Sequence, residues 1–169
     1  VKKRNNKWIS NPLKSQTQTF NKLLKKAENT QFGIDHDFSS IKNYEDFKNQ
    51  VPIRDYEALK LYVDRVVAGE KNILWPGQPL YFAKTSGTTS GAKYIPITKE
   101  SIRTHINSAR DALLNYFLKT KNYSPINGKH MFLQGSPKLD KKNGVFIGRL
   151  SGISAHYIPK LFLNNRKPS

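Results

Sequence analysis

The chain has 169 residues, 37% hydrophobic and 11% aromatic, a composition that can bury a core and excludes a disordered tail. Cysteine is absent, which excludes disulfides, thiolate metal sites and a cysteine nucleophile. The formal net charge of +17, heavier after residue 84 than before it, favours polyanions such as nucleic acid, anionic lipid or a nucleotide phosphate, but lysines scattered in no single block read first as a solvated surface.

In chain order, residues 1–14 read as a basic lead-in closed by Asn11-Pro12. They lead into no apolar segment of the kind a secretory signal needs. No later run approaches the roughly 18 apolar residues of a membrane span. A cytoplasmic address with no membrane partner is therefore expected. Over residues 15–29, Phe20, Leu23, Leu24 and Ala27 share one face at helical spacing, and Phe32-Gly33 ends that helix before a loop over 35–40. Asn43 caps a short helix that turns Tyr44 and Phe47 inward, with Asp46 at the favourable third position. A further helix runs from Asp55 to Val67, with Tyr56, Leu59, Tyr62, Val63 and Val66 as its stripe and Gly69 as its stop.

The texture then changes. Trp75-Pro76-Gly77 approaches a buried strand over 80–83, and a second strand spans 94–97. The longest helix covers about 99–119, capped by Thr98, with Ile102, Ile106, Ala109, Leu113, Tyr116 and Phe117 on one face. Two more strands are expected, over 130–133 and 145–147, with turns at 135–137 and 141–144. Coarsely, 1–79 is a helical lead-in, 80–98 a strand–loop–strand unit, 99–121 a long helix and 129–169 strands and loops. This pattern reads as α/β, with helices followed by a mixed sheet, and as the opening portion of a layered domain.

The segment between the first two strands carries the chemistry. Phosphate oxygens need converging donors: backbone N–H groups freed by glycine, hydroxyls and a cation. Thr85, Ser86, Thr88, Thr89 and Ser90 supply hydroxyls, Gly87 and Gly91 supply backbone freedom, and Lys93 supplies a point charge at the loop exit. The segment is not a Walker loop, because Gly91-Ala92-Lys93-Tyr94 runs into a strand instead of opening a helix. By composition alone, an ordinary surface hairpin remains open.

The run Ala83-Lys84-Thr85-Ser86-Gly87-Thr88-Thr89-Ser90-Gly91-Ala92-Lys93-Tyr94-Ile95-Pro96 resembles the phosphate loop of acyl-adenylating enzymes. Within that superfamily it is most similar to the auxin-responsive (Gretchen Hagen) acyl acid amido synthetases, in their bacterial form. It departs from the usual superfamily loop, since Ser90-Gly91 stand before Ala92 and no proline precedes Lys93. Val51-Pro52-Ile53-Arg54-Asp55, Leu74-Trp75-Pro76-Gly77 and Gly148-Arg149-Leu150-Ser151-Gly152-Ile153 resemble other segments of the same family.

The resemblance implies the N-terminal part of the large domain of an adenylating ligase. Such an enzyme uses ATP and Mg²⁺ to activate a carboxylic acid as acyl-adenylate, and an amine or amino acid then takes the acyl group. The ATP phosphates would lie against Thr85, Ser86, Gly87, Thr88, Thr89, Ser90, Gly91 and Lys93. Ala109, Ala112, Leu113 and Tyr116 would face the acyl pocket, with plain core packing as the alternative. Arg149 and Ser151 read as loop structure, with a substrate-side role as the alternative. His36, His105, His130 and His156 show no metal-ligand spacing, so no protein-only metal site is expected. The absent downstream segments mark the chain as an N-terminal fragment that would not turn over alone. Two other readings stay open: a basic nucleic-acid-binding module, against which no recognised motif appears, and a non-catalytic remnant of the fold.

Overall fold

The computed structural model describes residues 2–85, 91–131, 133–163 and 165–167. They form two compact units, Lys2–Pro79 and Leu80–Ser169, and each is described by itself.

The first unit is helical. Helix α1 spans Lys2–Ser10 and α2 spans Pro12–Ala27. The basic lead-in expected over 1–14 is therefore mostly helix. Asn11-Pro12, read as a closing turn, is a helix start: the Asn11 side chain accepts from the Lys14 N–H at 3.2 Å, and Pro12 occupies a first-turn position where its missing N–H costs nothing. Helix α3 spans Gln31–Asp35, so Phe32-Gly33 sits inside a short helix and does not end a long one. Buried Thr30 makes the join. Its hydroxyl donates to the Ala27 carbonyl at 2.7 Å and accepts from the Gly33 N–H at 3.1 Å. The core of this unit is Leu24, Ala27, Phe38 and Ile41, with Phe20, Phe32, Phe47, Val51 and Trp75 packed against it.

Helix α4, Tyr44–Gln50, is capped by Asn43 as expected, with the Asp46 N–H donating to Asn43 Oδ1 at 3.0 Å. Phe47 joins the core, whereas Tyr44, at the first helical position, is 65% exposed and does not turn inward. Helix α5, Tyr56–Val67, is capped by Asp55 and buries Val63, Val66 and Val67. It ends in a Schellman pair, with Gly69 N–H bonded to the Val66 carbonyl and Glu70 N–H to that of Arg65, each at 3.0 Å.

Helices α3 and α5 are joined through Asp35. Tyr62 donates its hydroxyl to Asp35 Oδ2 at 2.7 Å, and Gln31 Nε2 donates to Oδ1 at 2.8 Å. These bonds, that from Tyr62 first, hold the Asp35 carboxyl below its usual range. A carboxyl depressed in the folded state stabilises above the unfolded value and loses that contribution as pH falls through the folded one. Tyr62→Phe is therefore expected to lower the denaturation midpoint at pH 6. The gap from wild type should narrow as pH drops below about 4, and a gap that stays constant down to acid would argue against the bond.

The second unit holds a mixed sheet. Strand β1 is Tyr81–Lys84 and β2 is Tyr94–Ile97, paired antiparallel with Phe82 opposite Pro96. Helix α6, Lys99–Thr120, follows, and its capping box is complete: Ser101 N–H donates to Thr98 Oγ1 at 3.1 Å, and Thr98 N–H to Ser101 Oγ at 2.8 Å. Only Ile102 and Phe117 of its expected stripe are buried, while Ala109 is exposed. After α7, Ser124–Asn127, comes β3, His130–Met131. The strand expected to reach residue 133 stops short, since Leu133 is 96% exposed and Phe132 lies outside the described residues.

Strand β4, Asp140–Lys142, has no counterpart in the sequence reading, which placed a turn over 141–144. The turn itself is only Asn143-Gly144, with φ of 47° and 84°, the left-handed pair that a tight hairpin requires. Lys141 and Lys142 belong to the strand, their ammonium groups lying 5.5 Å and 5.7 Å from the ring centres of Phe146 and Tyr94. Strand β5, Val145–Gly148, pairs antiparallel with β4 and parallel with β1, giving the order β2-β1-β5-β4. Helix α8, Leu150–Ala155, then packs Ile153 with Ala83 and Ile102 into the core. Helix α9, Lys160–Leu163, leads to β6, Arg166–Lys167, which pairs parallel with β3. No helix among the described residues is long and apolar enough to cross a membrane.

Candidate functional site

The site grows from the way β1 and β5 end. They are parallel neighbours, so their carboxyl ends lie side by side. In open α/β sheets, ligands bind in the crevice outside such ends. Here Lys84 and Gly148, the last residues of the two strands, line a common cleft of about 520 Å³. Among the described residues, Thr85, Ala92, Ser136, Lys138, Asp140, Ile147 and Arg149 also line it. Three cations thus face one carboxylate in a single concavity.

The loop expected to hold phosphate opens beside this cleft. Its neck is closed by two bonds: Thr85 N–H to the Lys93 carbonyl at 3.1 Å, and Lys93 N–H to Thr85 Oγ1 at 3.3 Å. Gly91 sits at φ 80°, in the left-handed region. Ser86, Gly87, Thr88, Thr89 and Ser90 lie outside the described residues. Of the expected set, Thr85 borders the cleft, whereas Lys93 stands at the neck and is not among the lining side chains.

The opposite wall is residues 135–138, a segment read from sequence only as a turn. It is pinned to α8 by close backbone approach. The Gly135 N–H donates to Ser151 Oγ at 2.9 Å. A Cβ at Gly152 would overlap the carbonyl oxygen of Ser136, so only glycine lets the two backbones meet. The ring Nε2 of His156 donates to the Pro137 carbonyl at 2.8 Å. The Lys138 N–H donates to Ser136 Oγ at 3.2 Å. Ser151 is therefore structural, and Arg149 is the member of that pair that reaches the cleft.

Lys138, Ser136 and Asp140 went unassigned in the sequence, and Arg149 was read first as loop structure, because the β1–β5 pairing that gathers them joins distant segments. Ala109, Ala112, Leu113 and Tyr116 line none of this cleft. On α6, Ala109 and Ala112 are exposed, Leu113 is half-buried, and the Tyr116 hydroxyl lies 3.4 Å from Asn122 Nδ2. Among the described residues, no group of three or more His, Cys, Asp or Glu side chains could hold a metal ion.

A sequence model of the GH3 family N-terminal domain matches residues 1–165. The chain belongs to the GH3 family. Similar proteins include the jasmonoyl–L-amino acid synthetase JAR4 of Nicotiana attenuata, 26% identical over 80% of this chain and 23% of the relative. The indole-3-acetic acid-amido synthetase GH3.15 of Arabidopsis thaliana is 37% identical over 37% of this chain and 11% of the relative. Among solved structures, the AtGH3.15 acyl acid amido synthetase in complex with 2,4-DB superposes with a TM-score of 0.67 at 22% identity, covering 84% of this chain and 25% of that one. This likeness speaks for the fold: the helices and mixed sheet described above are those of the N-terminal part of a GH3 enzyme. The GH3 chain spans about a quarter of the length of its relative JAR4.

Proposed function

We propose that this GH3 chain forms the phosphate-binding part of an ATP-dependent ligase that joins a small carboxylic acid to an amine or amino acid. The observation that carries the reading is the cation-lined cleft at the carboxyl ends of β1 and β5, opening at the neck of the Thr85–Lys93 loop. In the first step, a carboxylate oxygen attacks the α-phosphorus of ATP, the α–β phosphoanhydride breaks and pyrophosphate leaves. In the second, the amine nitrogen attacks the acyl carbon, AMP leaves and the nitrogen gives up a proton.

The first step brings two anions together, so its barrier is electrostatic and falls when fixed donors face the phosphates. The hydroxyls of Thr85, Ser86, Thr88, Thr89 and Ser90, with the backbone at Gly87 and Gly91, supply the donors, and Lys93 supplies charge. The cleft fits a magnesium nucleotide. Mg²⁺ takes one or two carboxylates and leaves its remaining positions to phosphate oxygens and water, and Asp140 is the carboxylate present. The exposed face of α6 around Ala109, Ala112, Leu113 and Tyr116 is assigned to the acyl side.

The test is ATP–pyrophosphate exchange by the full-length protein with a panel of aryl and alkyl acids. Jasmonic and indole-3-acetic acids belong in that panel because similar proteins are named for them. Acid-dependent exchange is expected, falling by about 10²-fold when a fixed donor is removed in Ser86→Ala or Lys93→Ala. A folded protein that exchanges with no acid would sink the reading.

A further inference from the structure

The cleft contains more cationic character than the Thr85–Lys93 loop provides, and that surplus is built into the fold. Lys138 comes from the segment before β4, and Arg149 is the residue between β5 and α8. Both line the cleft with Lys84, against Asp140 as its carboxylate. Among the described residues, neither Lys138 nor Arg149 pairs with a carboxylate, whereas Arg65 and Arg110 do. Three cations and one carboxylate in a single cleft leave a surplus of positive charge, and a polyanion bound among them offsets their mutual repulsion.

The Arg149 stem and the backbone that carries Lys138 are closely packed. A Cβ at Gly135 would stand 2.9 Å from Arg149 Cδ and 3.1 Å from its Cβ, so the arginine stem lies against bare glycine backbone. A Cβ at Gly148 would come 2.5 Å from the Leu139 side chain, which brings the neighbour of Lys138 onto the end of β5. With Gly152 under the Ser136 carbonyl, three glycines let the 135–139 segment close onto β5 and α8. A guanidinium presents a planar fork that takes two phosphate oxygens, and an ammonium adds an adaptable point charge beside it.

We propose that Lys138 and Arg149 hold the β- and γ-phosphates of the nucleotide and receive the pyrophosphate when it leaves. The assignment rests on the ligase reading above and deepens it: these two side chains, outside the hydroxyl-rich loop, make the site prefer a triphosphate to a monophosphate.

Calorimetric titration of the full-length protein with ATP, AMP and inorganic pyrophosphate tests it, for wild type, Lys138→Gln, Arg149→Gln and Arg149→Lys. Each glutamine variant is expected to weaken ATP and pyrophosphate by about tenfold or more, the size of one charge-assisted bond, with AMP changed by less than about twofold. Arg149→Lys restores charge without the fork and should recover part of the loss. Unfolding midpoints of the variants should match that of wild type. If wild type binds ATP and shows acid-dependent exchange while both glutamine variants bind ATP and pyrophosphate as wild type does, the assignment fails and the ligase reading stands. Equal losses for ATP and AMP would also overturn it, since the cations would then not select the terminal phosphates. Wild type binding neither ATP nor pyrophosphate removes both.

Discussion

Gly152→Ala is expected to destabilise the protein by about 3 kcal/mol, and to weaken nucleotide binding in the molecules that still fold. The added methyl would overlap the Ser136 carbonyl oxygen and lie 3.1 Å from its carbon, both backbone atoms that no side-chain rotation can move. Relief requires either α8 or residues 135–138 to shift. Ile153, fully buried beside Ala83 and Ile102, anchors the helix, so the loop is the element that yields. The cleft wall would go with it. Gly128→Ala is the internal control: its methyl would sit 3.6 Å from the nearest atom, an ordinary contact, at φ −74°. There the loss of unfolded-chain freedom makes the change neutral or stabilising by about 0.5 kcal/mol. Denaturant midpoints of the two variants should therefore move apart, and a Gly152→Ala midpoint within error of wild type would refute the close approach.

Phe82→Ala is expected to cost about 3–5 kcal/mol, a large fraction of the roughly 5–15 kcal/mol that holds a domain folded. The side chain is 0% exposed in the central strand β1, flanked by Pro96 on β2 and Ile147 on β5. Its ring meets that of Tyr94 edge-on at 6.0 Å. Truncation leaves a cavity that the two neighbouring strands, β2 and β5, cannot collapse to fill. Phe82→Leu keeps most of the volume and should retain more than half of the lost stability. Denaturant titration separates the two, and an alanine variant losing less than about 1 kcal/mol would show that the ring is not the keystone of this sheet.

What was legible in the sequence is what depends on near neighbours. Asn43 and Thr98 each cap a helix because the bonded N–H lies three residues ahead, and a cap of that kind needs no knowledge of the fold. The hairpin flanking the Thr85–Lys93 loop was legible for the same reason. Helix α1 was hidden because its basic, weakly apolar residues have no clear stripe. Strand β4 was hidden because Lys141 and Lys142 look like turn residues until Phe146 and Tyr94 are set beneath them. The candidate site divides along the same line. Its loop is a local pattern of glycine and hydroxyls. Lys138 and Arg149 become neighbours of Lys84 only through the register of β1 on β5, a pairing between distant segments that no local pattern encodes.

That register also sets an order of assembly. The pairs β1–β2 and β4–β5 are hairpins between close segments, and such units form in about 1–10 μs. The parallel seam between them joins residues roughly sixty positions apart, across α6, and must offset a loop-closure entropy that short hairpins escape. The two hairpins are thus expected to exist before the seam does. Since the cleft stands on the seam, a partly assembled chain carries both hairpins yet lacks the cleft. On the proposed function, affinity for nucleotide would arrive with this parallel pairing, and nucleotide would in turn stabilise only the finished sheet.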